Sequence, residues 1–392
     1  MSELLSIDEA LALVLGRVRP LPAEDVPVTE AAGRVLAEHA LTAVDLPPFD
    51  SSAMDGYAVR AVDTPGTLRL AGESAAGRPA AHTLGAGEAL HISTGAVVPA
   101  GADAVVPVER TDGGRELVRV EGVRPGENVR PRGGDARTGE PVVPAGIPLG
   151  AVQVGALAGA GVASVRCGRR PRVALLATGT ELRLPGEPLA AGEIYESNTA
   201  MLAAQVRDAG GEPSRLGTVA DDEDETRDAL ARGLEADVLL TSGGVSVGEH
   251  DLVRELLASL GAKEVFWRVA VKPGKPVAFA VRGETLVFGL PGNPVSSLVG
   301  FELFVRPALR ALQGLADPAP AYLPGRLAEA LRRNAARDEL VRARTGPGGM
   351  VRPVRGQESH MIARAAAANA LVLVPRGEGE LAAGAEVSWL PL

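Results

Sequence analysis

The sequence predicts a multidomain α/β protein: a doubly wound, mostly parallel α/β domain, an inserted β domain, an elongated helical stalk and a C-terminal β-barrel or sandwich. Three observations carry this expectation. Residues 171–313 alternate short apolar runs with helix-period runs, the pattern of a largely parallel sheet with helices on both faces. Residues 49–138, and again 325–392, break into short β-like runs between Gly and Pro. The residues flanking the first β region carry helical patterns, which makes that region an insertion. Domains are therefore placed at 1–46 with 139–170 (the stalk), 47–138, 171–317 and 318–392, a division in keeping with 392 residues at roughly 100–200 per domain.

The elements follow in order. Ser6 with Glu9 three residues on forms a capping box, and the helix it opens carries Leu11, Val14, Leu15 and Val18 before stopping at Pro20. A second short helix is expected over residues 29–37. Pro47-Pro48 then breaks the pattern, and β-like runs follow at 57–60, 67–71, 90–94, 104–109 and 116–121. A helix at 151–158 returns the chain to the stalk. In the α/β region, strands are expected at 172–177, 214–219, 237–241, 264–269, 277–280 and 285–289. The intervening helices are expected at 199–209, 223–234, 252–260 and 295–312. Pro318 and Pro320 mark a linker, and strands at 371–374 and 386–390 close the chain.

Composition limits the function. Lys+Arg of 40 against Asp+Glu of 49 gives a net charge of −9, which argues against broad nucleic-acid or anionic-membrane binding. Cys167 is the single cysteine, so an intrachain disulfide and a cysteine-based zinc site are excluded. No window reaches the roughly 18 consecutive apolar residues of a membrane span, and the first residues lack a basic region followed by an apolar core. A soluble, cytoplasmic protein is expected. His39, His82, His91, His250 and His360 are scattered without ligand spacing, and no Gly-x-Ser-x-Gly nucleophile motif is present.

Ligands of a doubly wound sheet lie beyond the carboxyl ends of its strands, so the segments after each strand are the informative ones. They are Thr178-Gly179-Thr180-Glu181; Asp221-Asp222 with Asp224; Thr241-Ser242-Gly243-Gly244 running to Asp251; Lys272-Pro273-Gly274-Lys275-Pro276; and Pro291-Gly292-Asn293-Pro294-Val295-Ser296-Ser297. The Gly243-Gly244 pair lets backbone approach a ligand, and a helix starts at Asp251. The pair fits an anion site of unspecified type, although a Gly-Gly pair taken alone fits a structural strand-to-helix turn better. It matches neither the Walker phosphate loop nor the dinucleotide fingerprint. Four of the five segments offer an anion cradle or a cation. Glu181, Asp221 and Asp251 add carboxylates to the same rim, and phosphate facing carboxylate calls for a bridging Mg²⁺. Singly each segment is an ordinary loop; five on one rim point to a site. In the β domain, Arg130 and Arg132 of Arg130-Pro131-Arg132-Gly133-Gly134-Asp135 suit an oxyanion.

Eight stretches, taken jointly, resemble one family. They are 47–58 (Pro-Pro-Phe-Asp-Ser-Ser-Ala-Met-Asp-Gly-Tyr-Ala), 93–96 (Ser-Thr-Gly-Ala), 130–135, 177–182 (Ala-Thr-Gly-Thr-Glu-Leu), 241–248 (Thr-Ser-Gly-Gly-Val-Ser-Val-Gly), 272–276, 290–296 and 356–360 (Gly-Gln-Glu-Ser-His). Over nearly its whole length the chain resembles the molybdopterin molybdotransferases, the MoeA proteins, which are similar to the E domain of gephyrin. The resemblance implies an L-shaped homodimer that ligates molybdate into adenylylated molybdopterin, with AMP released, the molybdenum cofactor formed and Mg²⁺ required. It implies a site between the α/β domain of one chain and the inserted domain of the other. Carried over by motif, Asp55, Thr94, Arg130 and Asp135 come from the inserted domain. Glu181, Asp221, Asp251, Lys272, Lys275, Pro291 and Pro294 come from the α/β domain, and Ser359 and Arg342 from the C-terminal domain. Asp55, Thr94, Glu181, Asp221, Asp251, Lys272 and Lys275 are taken as catalytic, with Glu181, Asp221 and Asp251 holding Mg²⁺. Thr178, Gly179, Ser242, Gly243, Gly244, Ser246, Pro291, Gly292, Asn293, Pro294, Arg130 and Asp135 are taken to bind the adenylylated pterin. Molybdate is placed near Arg268, Lys272, Lys275, Ser359 and Arg342. The family often has Lys where this chain has Arg268, and the two cations are not equivalent as anion ligands. Further implied partners are the molybdopterin adenylyltransferase and apo-molybdoenzymes. The rival readings are an adenylyltransferase of the same α/β type, which would turn ATP into pyrophosphate, and a non-catalytic molybdopterin-binding scaffold, which would not turn over.

Overall fold

The structure, a computed structural model, describes residues 4–220, 222–244 and 252–392. The chain divides into two compact units, one of residues 1–24, 33–37 and 167–392, the other of residues 25–32 and 38–166.

The larger unit is built on a six-stranded sheet. It begins with α1 (Ile7–Leu15), whose capping box is present: the Ser6 hydroxyl accepts from the Glu9 N–H at 3.2 Å while Glu9 accepts from the Ser6 N–H at 2.8 Å. Then follow β1 (Arg172–Thr178), α2 (Asn198–Asp208), β2 (Glu212–Val219), α3 (Glu223–Gly233), β3 (Val238–Ser242), α4 (Leu252–Ser259), β4 (Lys263–Trp267), β5 (Ala278–Arg282), β6 (Thr285–Leu290) and α5 (Pro294–Gly300). After α5 the helix continues through one π-helical stretch, Phe301–Val305, into α6 (Arg306–Leu312). The sheet order is β2-β1-β3-β6-β5-β4, with β2, β1, β3 and β6 parallel and β5 and β4 antiparallel at one edge.

Both faces of this sheet are covered, so its central strands are apolar on both sides. Val173, Leu175, Val238 and Leu240 point into one core with Leu202 of α2, Ala10 and Val14 of α1, and Phe301, Phe304 and Leu309 of the long helix. Ala174, Leu176 and Leu239 point into the other, with Leu230 of α3 and Leu256 of α4. The doubly wound arrangement is the one predicted. The strand expected over 264–269 ends two residues early, because Arg268 takes φ 85°, outside the extended range.

The C-terminal part of this unit is a closed barrel. Strands Asp338–Thr345, Met350–Pro353, Leu323–Leu327, Glu386–Pro391 and Ala370–Val374 pair in sequence, and the last returns to the first. Leu327, Ala343, Val351, Val372 and Val374 fill it. A short strand from the α/β part, Val271–Lys272, adds in parallel to Asp338–Glu339.

The smaller unit holds a five-stranded sheet ordered Ala104–Pro107, Gly56–Val59, Glu88–Ile92, Gly66–Ser74, Leu117–Val120. Tyr57, Val59, Leu68, Val106 and Val118 fill one side, and Ala58, Leu90, Ile92 and Val105 the other. A helix, Ala151–Gly159, lies near its end. The helix expected over 29–37 does not form. A single 3₁₀ turn spans Val28–Glu30, and Gly33 at φ 77° then turns the chain out of a helical path. Among the described residues no helix is long and apolar enough to cross a membrane.

Candidate active site

The carboxyl ends of β1, β3 and β6 open into one cleft of about 820 Å³ in the larger unit. Its lining includes Thr178, Gly179 and Glu181 after β1, Ser242, Gly243 and Gly244 after β3, and Pro291, Gly292, Asn293 and Pro294 after β6. The predicted segment at 272–276 contributes Pro276, and the barrel contributes His360 and Ile362. Four of the five rim segments named from sequence therefore meet in one cavity. The remaining one is split: Asp221 lies outside the described residues, and Asp222 caps α3, its carboxylate accepting from the Glu225 N–H at 2.9 Å. Ser246 and Asp251 also lie outside the described residues.

The turn after β3 requires its glycines. Gly243 has φ 92° and Gly244 φ 67°; a Cβ on Gly243 would stand 2.7 Å from the Thr178 carbonyl oxygen, and one on Gly244 2.4 Å from a Val253 methyl. The bare backbone of Gly243 faces the cleft beside Gly292, and its N–H donates to the Leu290 carbonyl at 3.1 Å. Oxygen donors of the kind Mg²⁺ prefers are represented among the described residues by Glu181, which is exposed at the rim. No group of three metal-ligating side chains forms among the described residues.

The cationic loop lies against the start of α5. A Cβ on Gly274 would stand 3.4 Å from the Ser296 carbonyl. Lys272 is paired, its Nζ 2.5 Å from Glu339 Oε1 of the barrel, whereas Lys275 has no ion pair among the described residues. The Val269 N–H donates to the Lys275 carbonyl at 3.0 Å, which ties this loop to Arg268. The Arg268 guanidinium stacks 3.6 Å from the Trp267 ring centroid, which also receives Arg254 at 4.1 Å. Arg268 Nε is buried with no hydrogen-bond partner among the described residues, and positive φ is costly for a residue with a Cβ.

Ser359 reaches α5 from the barrel side. Asn293 Nδ2 donates to Ser359 Oγ at 3.0 Å, and the Val295 N–H donates to the Ser359 carbonyl at 3.0 Å. Arg342 is placed differently from the direct molybdate ligand expected of it. It is fully buried, and its guanidinium donates to the carbonyls of Met361 at 2.9 Å, Gly356 at 2.8 Å and Glu358 at 3.1 Å. Burial holds its pKa below the usual arginine value. Arg342 thus holds the loop that carries Ser359 and His360.

Sequence reasoning missed the segment before α2. Glu196 is buried and accepts from the Thr199 N–H at 2.9 Å and from the Thr199 hydroxyl. Asn198 is buried on the cleft wall beside Ile194 and Tyr195, both of which are exposed. The signal was the polar Glu196-Ser197-Asn198 run at a helix start, which reads as capping and nothing more.

The predicted residues of the smaller unit gather around the short strand Ser51–Ser52, which pairs with Val129–Arg130 and donates the Ser52 N–H to the Ala96 carbonyl. Asp55 Oδ1 accepts from the Thr94 N–H at 2.7 Å; that bond, then the Thr94 hydroxyl, holds its carboxyl below the usual range. Arg130 and Asp135 are exposed. Arg132 is committed instead to Asp45, with Nε at 2.6 Å from Oδ2.

Three family descriptions divide the chain: MoeA N-terminal region (domain I and II) at residues 5–161, probable molybdopterin binding domain at 174–311, and MoeA C-terminal region (domain IV) at 324–392. Among curated relatives, molybdopterin molybdenumtransferase 2 of Mycobacterium tuberculosis is 38% identical over 97% of this chain and 98% of its own. The chain belongs to the MoeA family. Molybdopterin molybdenumtransferase of Haemophilus influenzae is 35% identical over 99% of this chain and 98% of its own. The crystal structure of a molybdopterin biosynthesis moeA protein from Pyrococcus horikoshii OT3 superimposes with a TM-score of 0.86 at 30% identity, covering 100% of both chains. Most of the cleft lining therefore lies within the stretch that the family describes as molybdopterin-binding, and His360, Ile362 and the Ser359 loop lie within the MoeA C-terminal region.

Proposed function

We propose that this MoeA-family chain is a transferase of molybdenum cofactor biosynthesis that inserts molybdate into adenylylated molybdopterin and releases AMP. The observation that supports the reading is the cleft itself: the glycine turn at Gly243–Gly244 and Pro276, which ends the cationic 272–276 loop, line it together with the helix start at Asn293–Pro294. A phosphoanhydride and a tetrahedral dianion need such neighbours. Thr178, Gly179, Ser242, Gly243, Gly244, Pro291 and Gly292 form the pterin-nucleotide wall. Lys275, which has no ion pair among the described residues, is the lysine available to molybdate, with Ser359, Asn293 and Arg268 as its companions and Arg342 positioning the Ser359 loop. Mg²⁺, when bound, supplies Lewis-acid polarisation of the phosphoanhydride; Glu181 would hold it, with Asp221 and Asp251 as the other expected ligands. The protein contributes placement and charge, without a covalent protein intermediate.

The chain works as a homodimer in the cytoplasm. Its smaller unit offers a second ligand-facing patch of Asp55, Thr94, Arg130 and Asp135. An adenylyltransferase supplies its substrate and apo-molybdoenzymes take its product. Incubation with adenylylated molybdopterin, molybdate and Mg²⁺ tests the reading. AMP release and cofactor formation should rise together and stop when molybdate is withheld; AMP release with no cofactor formed would refute it.

A further inference from the structure

Asn198 is more than nine-tenths buried in the cleft wall at the start of α2. Its Nδ2 donates to Ser242 Oγ at 2.8 Å and to the Gly292 carbonyl at 2.7 Å. Those two bonds use both amide hydrogens. They also fix the amide's orientation, because the Gly292 carbonyl can only accept and would repel an oxygen placed there. The remaining atom, Asn198 Oδ1, is buried with no hydrogen-bond partner among the described residues. A buried acceptor left unmatched is costly, and such groups are otherwise nearly always satisfied. Beside it, the Ser242 hydroxyl is buried and accepts the Asn198 bond, so its own O–H is free to donate. Asn198 and Ser242 both line the cleft, so its wall holds an unmatched acceptor and a hydroxyl donor on neighbouring residues. Ile194 and Tyr195 also line the cleft, at 55% and 46% exposure, and leave apolar surface open to a ring.

We propose that Asn198 Oδ1 and Ser242 Oγ together read the edge of a flat heterocycle that carries an N–H donor next to an acceptor. Asn198 is then a specificity-determining residue for the ring. The proposal rests on the reading that this cleft takes an adenylylated pterin. Both halves of that molecule carry such an edge, the amide of the pterin and the amino-pyrimidine of adenine, so the chemistry is shared and the source is set by experiment.

The test uses the full-length chain and isothermal titration with three probes: AMP, purine riboside 5′-monophosphate, which lacks the exocyclic amine, and neopterin. Asn198→Ala and Ser242→Ala are each compared with the parent, with circular dichroism and melting temperature recorded to confirm folding. If adenine is read, Asn198→Ala weakens AMP by roughly tenfold, the amine-free nucleotide binds the parent as weakly as AMP binds the variant, and neopterin is unmoved. If the pterin is read, neopterin weakens and AMP does not. In either case Ser242→Ala weakens the same probe. Affinities for AMP and neopterin within about twofold of the parent in a folded Asn198→Ala chain overturn the proposal, as does a parent chain that binds neither. For any variant that misfolds, Asn198→Ser, which keeps a hydroxyl at the wall, is titrated under the same criteria. Turnover with the full substrate is scored separately, so a chain that reads the ring yet fails to insert molybdenum sinks the functional reading and leaves this one standing.

Discussion

Replacing Arg342 by lysine keeps the charge and removes the fork. The guanidinium now bonds three carbonyls of the 356–361 loop, at 2.8, 2.9 and 3.1 Å, from a fully buried position. One ammonium on a flexible stem cannot reach all three, because the carbonyls are arrayed around a planar group. Charge-assisted bonds to a buried partner contribute about 1.5–3 kcal/mol each. Losing two of them gives a cost of about 3–5 kcal/mol. Arg342→Met, which also removes the charge, loses all three bonds but avoids burying a poorly paired ammonium, so its cost falls in the same range of about 3–5 kcal/mol. Urea unfolding of the chain, followed by tryptophan fluorescence and by barrel-specific proteolysis, reads the change. Trp389 lies in the barrel, its Nε1 donating to the Pro324 carbonyl at 3.1 Å, so fluorescence is sensitive to that part. An Arg342→Lys chain with parental stability and a weakened molybdate response would refute the positioning role and restore Arg342 as a direct ligand.

Other expectations follow from the same geometry. Gly243→Ala places a Cβ 2.7 Å from the Thr178 carbonyl at φ 92°, so AMP affinity should fall at least tenfold, and the strain should cost about 1–2 kcal/mol of stability; titration and melting measure the two. Lys275→Ala should raise the molybdate concentration needed for half-maximal rate with melting unchanged, because no ion pair among the described residues holds Lys275, whereas Lys272→Ala should also loosen the barrel contact to Glu339. Asp45 is held at about 2 against an ordinary 3.8, first by the Thr138 N–H, then by the Thr138 hydroxyl and Arg132. A depressed carboxyl stabilises the fold above its unfolded value and loses that contribution as pH falls through the folded one. The parent should therefore lose stability between pH 3.8 and about 2 more steeply than Asp45→Asn, and equal slopes in acid melts would contradict the assignment.

The α/β sheet was legible because its strands are short apolar runs bounded by polar turns, and all six appear within a few residues of their expected places. Turn chemistry was legible too: Gly179, Gly243 and Gly292 mark the cleft from sequence alone. Burial of single polar residues was not. Arg342 sits in Leu340-Val341-Arg342-Ala343, and nothing in that string shows that all four are buried. Asn198 carries the sequence signal of a helix start, and only the positions of Ser242 and Gly292, 44 and 94 residues away, reveal its unmatched oxygen. Barrel closure is likewise non-local, since it depends on Ala370–Val374 returning to Asp338–Thr345. The helix expected over 29–37 does not form because Gly33, at φ 77°, turns the chain out of a helical path after the Val28–Glu30 turn.

The central claim is that one cleft holds a nucleotide phosphate and a tetrahedral oxyanion on either side of the α5 start. Anomalous diffraction from crystals soaked with molybdate and AMP addresses it most directly. The account predicts a molybdenum peak beside Lys275 and Ser359 and the AMP phosphate at Gly243–Gly244. A molybdenum peak remote from Lys275, with AMP bound elsewhere on the chain, would contradict it.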